Sequence, residues 1–238
     1  MKNWVIKLEN VTISYRLDKS VARKSNVSRI FTPLDGIDMH VQDGEFLSIS
    51  GPNGSGKTSL LKVMSGIMNP FKGKVHRKVS NFGFVSQSQV LLPELTLREN
   101  ILLPFFLANE THYSDISYIK NCDEQEIHEK LMANVKRFNI QSIIDKSPRT
   151  CSVGQQQRAL LTRALMMDCD VIFADEPEQN LDSDGRIELF KSFQEANRIY
   201  GKTIVLVTQE HPDVLKRYVS RCVKIKGNEI IEFFSRAS

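Results

Sequence analysis

Eight residues, Gly51-Pro-Asn-Gly-Ser-Gly-Lys57-Thr58, constrain the fold of this chain more than any other stretch. They match the spacing G-x-x-x-x-G-K-[ST], a glycine-rich turn that cradles phosphate. Before them, Phe46-Leu-Ser-Ile-Ser50 reads as a buried strand. After them, residues 57–65 place Leu60, Leu61 and Met64 at helical spacing. Strand, glycine loop, helix is the order such a turn requires. The glycines let backbone N–H groups point inward as a concave anion site. The helix adds its positive end. Lys57 is expected to reach the β- and γ-phosphates, facing ligand and not core, and the Thr58 hydroxyl to ligate magnesium. Gly51, Asn53, Gly54, Ser55, Gly56 and Ser59 complete the candidate nucleotide-binding set. A chance glycine-rich turn is the competing explanation, and the flanking strand and helix argue against it. On its own the loop says only that a nucleotide's phosphates are bound.

The rest of the chain alternates around that turn. Residues 4–14 read as a strand, and 39–49 as two strands joined at Asp43-Gly44. Residues 16–32, with Arg16, Lys19, Arg23, Lys24 and Arg29, read as an exposed polar loop. From 95 to about 147 the pattern is helical, with Ile127, Leu131 and Val135 forming one stripe, while 109–121 reads as a surface loop. Residues 159–167 and 186–200 read as helices, and 171–174 and 203–207 as buried strands. Residues 223–234 close as a hairpin at Gly227-Asn228. The expected class is α/β, with a mostly parallel sheet, an antiparallel β part at the N-terminus and a helical insertion.

Length and composition narrow the function. The 238 residues suit one large domain with a sizeable core. Apolar residues at 41% and charged residues at 25% fit a soluble globular protein. The net charge of +4 suits an anionic ligand or a membrane surface and is too small to argue for nucleic acid. Cys122, Cys151, Cys169 and Cys222 form no C-x-x-C pair, so reduced thiols in a cytoplasmic protein are expected. The first residues alternate charged and apolar too quickly for a secretory segment. No apolar run approaches the roughly 18–20 residues that span a bilayer, so a partner must hold the chain at any membrane where it works.

A second motif supplies acids. Asp170-Val-Ile-Phe-Ala-Asp175-Glu176-Pro177 is a buried strand ending in two carboxylates, delivered to the sheet edge. Asp175 would hold magnesium, and Glu176 would orient or deprotonate the attacking water. Such a pair can also be a mere helix cap or turn. Combined with the phosphate loop, it points to nucleotide hydrolysis.

Together these residues resemble the ABC ATPase family, and the likeness runs from Tyr15 to the C-terminal hairpin. The resemblance implies a P-loop NTPase fold with a nucleotide-binding core over 1–88 and 155–238 and a helical subdomain over 89–154. It implies ATP and Mg2+ as ligands. Tyr15 falls where the family stacks an aromatic ring on adenine; a core tyrosine at a strand end is the alternative. Gln87, in Phe84-Val-Ser-Gln, falls where an amide touches magnesium and the attacking water. Cys151-Ser-Val-Gly-Gln155 stands at the signature motif, so Ser152, Gly154 and Gln155 would face a second subunit's ATP. Asp182, in Asn180-Leu-Asp, matches the loop that crosses to that subunit. Two stretches, Leu91 through Ile101 and Asn180-Leu-Asp-Ser183, resemble the lipoprotein-releasing and macrolide-exporting branch, whose ATPases work with permeases.

Three positions depart from the family. Cys151 and Val153 replace the first Leu and first Gly of Leu-Ser-Gly-Gly-Gln, and a β-branched residue resists positive φ. Gln209 stands at the switch position, usually His; its amide still donates to a γ-phosphate but carries no charge. His211 either substitutes or is a surface histidine, with Pro212 biasing it toward an extended backbone. The resulting expectation is a slow ATPase, with Glu176, Gln209 and Gln87 as catalytic candidates. Expected partners are a second copy and an integral-membrane permease, on the cytoplasmic face of the inner membrane, with no nucleic acid. A soluble ABC protein and a weakly hydrolytic ATP-gated scaffold stay open beside it.

Overall fold

The computed structural model describes residues 3–16, 30–86, 91–110 and 123–236, with backbone alone over 107–110. Gln87 and Cys122 lie outside the described residues, as do 17–29 and 111–121 of the expected loops. In chain order the strands are β1 (Trp4–Arg16), β2 (Ile30–Gln42), β3 (Phe46–Ser50), β4 (Lys72–Arg77) and β5 (Phe82–Ser86), then β6 (Val171–Asp175), β7 (Thr203–Thr208), β8 (Arg221–Lys226) and β9 (Glu229–Ser235). The helices are α1 (Lys57–Ser65), α2 (Leu97–Glu110), α3 (Glu124–Arg137), α4 (Val153–Met166), α5 (Ser183–Tyr200) and the short α6 (Pro212–Leu215). The chain divides into two compact units, residues 1–80 with 203–238, and residues 81–202.

In the first unit, β1 pairs antiparallel with β2 on one side and β4 on the other. A second group runs β7, β3, β8, β9, with β3 parallel to both β7 and β8 and only the final hairpin antiparallel. All residues of β3 and β7 are buried. That continuous burial is the mark of parallel strands covered on both faces. Leu60, Leu61, Val63 and Met64 bury one side of α1, which packs on β7 and β1.

Arg77, from β4, caps the far end of α1. Its Nε donates to Met64 O at 2.7 Å and its Nη2 donates to Val63 O. A cation there satisfies last-turn carbonyls and opposes the helix dipole. Partial burial pulls its pKa below the usual arginine value. Hydrogen bonds to charged groups contribute about 1.5–3 kcal/mol each, so Arg77→Ala should cost roughly 2 kcal/mol or more. At ~2–4 °C per kcal/mol for a chain of this size, a thermal melt should show Tm lowered by at least about 4 °C. An unchanged Tm would remove Arg77 as the cap.

In the second unit, β5 and β6 are parallel, and Ser86 sits opposite Asp175 in the register. Helix α4 packs against α2, α3, α5 and β5, making it the hub of that unit. It starts at Val153, six residues before the 159 expected from apolar periodicity. The reason is a capping box: Ser152 Oγ accepts from Gln155 N, and Gln155 Oε1 accepts from Ser152 N. Cys151, Cys169 and Cys222 are buried and form no disulfide. Burial pushes the Cys169 thiol up to about 11, leaving it protonated and inert at neutral pH.

Other boundaries also shift. β2 begins at Ile30, well before 39, so residues 30–32 of the expected loop are strand; 109–110 are likewise helix. β4 and α6 carry no apolar periodicity and were not expected.

Candidate functional site

In the first unit the backbone of the phosphate loop favours glycine. Gly54 and Gly56 take φ of 76° and 95°, and Gly56 is the N-cap residue of α1. A Cβ on Gly51 would sit 3.0 Å from Ser55 Oγ and 3.2 Å from Ile225 Cβ. Ser55 Oγ is itself buried with no protein partner, a hydroxyl awaiting an acceptor such as a phosphate oxygen. Asn53 and Gly54 are exposed, while Thr58 and Ser59 are half-buried on the first turn of α1.

Lys57 is more enclosed than a side chain facing only ligand would be. It is only 4% exposed, and its Nζ donates to Gly51 O at 3.0 Å and Pro52 O at 3.1 Å. The lysine therefore folds back over the loop, and its stem is part of the interior. An ammonium held this way also gives the loop the positive charge that a polyphosphate needs.

Tyr15, at the end of β1, is 37% exposed, so it is no core residue. Its hydroxyl donates to Ser59 Oγ and lies 3.8 Å from Met68 Sδ, which fixes the ring beside the first turn of α1. Gln209 is exposed just past β7. His211 is extended, at φ −69° and ψ 136°, as the following proline dictates. Its Nδ1 accepts from Asp213 N and its ring meets Phe233 edge-on, so it serves as the cap of α6. Those contacts favour the surface histidine over a substitute for the switch.

In the second unit, Asp175 ends β6 half-buried. Glu176 follows at φ 47°, a conformation that a non-glycine residue with a long side chain rarely adopts. Strain of this kind persists where the surroundings fix it and concentrates at functional sites. Gln179 N donates to Glu176 O, and Leu181 N to Glu178 O, so tight turns lead straight to α5. Asp182 ends them as N-cap, its Oδ1 accepting from Gly185 N at 2.8 Å.

The α4 and α5 N-termini open on one cleft of about 440 Å³, lined by Ser152, Val153, Gly154, Asp182 and Gly185 among others. An Arg158–Glu188 ion pair stands on its wall. Val153 does not carry the backbone strain expected of a β-branched residue there. It is the first residue of a right-handed helix and lacks positive φ, so its branching costs no backbone strain. What remains is steric, since its side chain is 42% exposed at the cleft.

Sequence reasoning missed one supporting residue. Asn100, fully buried on α2, donates from Nδ2 to the carbonyls of Leu92, Leu95 and Thr96 and accepts from Leu92 N. It fastens the segment ahead of α2. That segment is tied in turn to the stretch before the signature, through Leu97 N to Lys146 O, Arg98 N to Ile144 O and Ser147 Oγ to Pro93 O. The signal was a polar residue on an apolar stripe, between Leu97 and Ile101.

Residues 34–179 match the family model described as ABC transporter. The chain belongs to the ABC transporter family. It is 35% identical over 230 residues to the bacitracin export ATP-binding protein BceA of Halalkalibacterium halodurans, covering 90% of this chain and 84% of that one. It is 31% identical over 242 residues to the lipoprotein-releasing system ATP-binding protein LolD 1 of Rhodopseudomonas palustris, covering 95% and 98%. Among solved structures, the ATP-binding cassette MJ0796, a dimer in a post-hydrolysis state with ADP and Pi, superposes with a TM-score of 0.76 at 27% identity, over 98% of this chain and 100% of that one. The α/β fold and the ATPase class expected from the motifs are therefore those of the family. Among the described residues of this ABC ATPase, no helix is long and apolar enough to cross a membrane.

Proposed function

We propose that this ABC ATPase powers a membrane permease, closing as a head-to-tail pair of identical copies around two ATP molecules. The observation that carries it is the phosphate cradle, with a buried unpaired Ser55 hydroxyl and a lysine folded over a loop in which Gly54 and Gly56 have positive φ and a Cβ on Gly51 or Gly56 would be crowded. Lys57 and the loop N–H groups hold the β- and γ-phosphates, and Tyr15 offers a fixed ring to the base. Thr58 and Asp175 are the hard oxygen donors that would hold magnesium, which neutralises phosphate charge when bound. Gln87 would join them from the segment after β5. Glu176 orients the water and takes its proton, and Gln209 donates an amide hydrogen to the γ-phosphate side. Ser152, Gly154, Gln155 and Asp182 would meet the other copy's nucleotide.

The names of the bacitracin-export and lipoprotein-releasing relatives support a permease partner, and the dimeric cassette supports the pair. In a head-to-tail pair, Val153 and Gln209 of one chain face different nucleotides. Two identical copies then have two equal sites, each with both departures. Both sites should be slow, since losing one preorganised donor costs on the order of 10²–10³ in rate. Those same two departures favour a second reading, an ATP-gated scaffold with little hydrolysis.

Co-expression with the multi-span product of an adjacent gene tests the permease reading. The chain should sediment with membranes and co-purify with that product from detergent, on the cytoplasmic side. A chain that stays wholly in the soluble fraction with the product present would leave a soluble ABC protein as the better account.

A further inference from the structure

Tyr15 is not the only aromatic side chain at the mouth of the phosphate loop. Phe31, on β2, stands directly across from it in the β1–β2 ladder. Directly opposed residues of an antiparallel pair project from one face, with Cβ atoms roughly 4.5–5.5 Å apart. The adjacent pair agrees with that register, since Ser14 Oγ and Thr32 Oγ1 lie 2.8 Å apart. Two residues further along β2, the chain comes against the start of α1: a Cβ on Gly56 would lie 3.1 Å from Pro33 Cβ and 3.3 Å from Leu34 Cγ. Phe31 is thus placed from two directions. One is the tyrosine that hydrogen-bonds Ser59 on the first turn of α1. The other is the proline packed over the N-cap glycine of the same helix.

Both rings are open. Phe31 is 48% exposed and Tyr15 37%, while Leu34 and Ile13, deeper on the same strands, are fully buried. Two exposed aromatic residues, opposed in the β1–β2 ladder beside the start of α1, offer apolar surface to a flat ring. We propose that Phe31 is a second base-binding residue, so that the purine of a bound nucleoside triphosphate lies against Tyr15 and Phe31 together. This deepens the nucleotide-binding reading of the same loop and rests on it. Phe31 carries no hydrogen-bonding group, so it holds the base by its ring surface and serves adenine and guanine alike. Base–aromatic stacking contributes at least about a factor of five per ring removed. The phosphates, held several residues away by the loop, should not feel its loss.

Equilibrium binding of ATP, GTP and inorganic tripolyphosphate to the full chain decides the matter, using the wild type, Phe31→Ala and Phe31→Tyr. Phe31→Ala should weaken ATP and GTP about fivefold or more and leave tripolyphosphate unchanged, and Phe31→Tyr should restore the nucleotides. Equal ATP affinity in Phe31→Ala overturns the proposal. So does an equal loss for tripolyphosphate, which would make Phe31 a prop for the loop. A wild type that binds tripolyphosphate but not ATP overturns the base contact while sparing the phosphate cradle. A wild type that binds neither strikes the nucleotide reading itself.

Discussion

Glu176→Gln should lower ATP turnover to about 1% or less of the wild-type rate while ATP binding persists and ATP-bound dimers accumulate. Glutamine has the size and reach of glutamate, so the tight turns after β6 and the interior are undisturbed. It cannot take a proton from water or carry a negative charge, and a positioned general base contributes roughly 10²–10⁴ in rate. Phosphoryl transfer depends on positioning and charge, both of which the substitution removes at this position. The observation that singles out Glu176 over neighbouring Glu178 is its backbone. Residue 176 is held at φ 47°, whereas Glu178 is buried and has no positive φ. Phosphate release with the permease present, alongside size-exclusion chromatography in ATP, reads both effects. Unchanged turnover, with contaminating ATPases excluded, would remove Glu176 as the catalytic carboxylate and leave the ATP-gated scaffold.

How much of this was legible in the sequence varies with what each segment buries. The bounds of α1, 57–65, were read correctly because a glycine turn sets its start and apolar residues mark its buried side. The buried strands β6 and β7 stood out as short apolar runs. β4 did not: Lys72-Gly-Lys-Val-His-Arg77 is an exposed edge strand whose lysines deter further pairing, so its pattern is polar. The first half of β2 was hidden by Pro33 and Gly36, tolerated because β2 is the opposite edge and its ladder with β1 is repeatedly irregular. The start of α4 was written plainly as Ser-x-x-Gln, yet apolar periodicity begins only at Ala159. Within the site, residue types and spacing were legible because the chemistry demands them. The strained backbone of Glu176, the Tyr15–Ser59 bond and the burial of Lys57 were not, because each depends on what the fold brings alongside.

Replacing Lys57 separates those two kinds of information. Lys57→Ala should weaken ATP binding at least about 100-fold, and Lys57→Met nearly as much. Charge-assisted hydrogen bonds to phosphate contribute about 1.5–3 kcal/mol each, and two such bonds correspond to roughly 10²–10⁴ in affinity. The two substitutions differ in stability. Alanine empties a slot in which the lysine is only 4% exposed, and deleting buried methylenes costs both their transfer energy and a cavity. Methionine refills most of that volume. Both lose the Nζ bonds to Gly51 O and Pro52 O, so the loop loses its internal clasp in either variant. Thermal melts without nucleotide should therefore rank wild type above Lys57→Met and Lys57→Met above Lys57→Ala, while binding separates only wild type from both variants. Circular dichroism keeps the comparison honest by confirming that each variant is folded. Wild-type ATP affinity in a folded Lys57→Met would mean that the lysine serves only to close the loop, and the phosphate-binding assignment of Gly51 through Thr58 would fall with it.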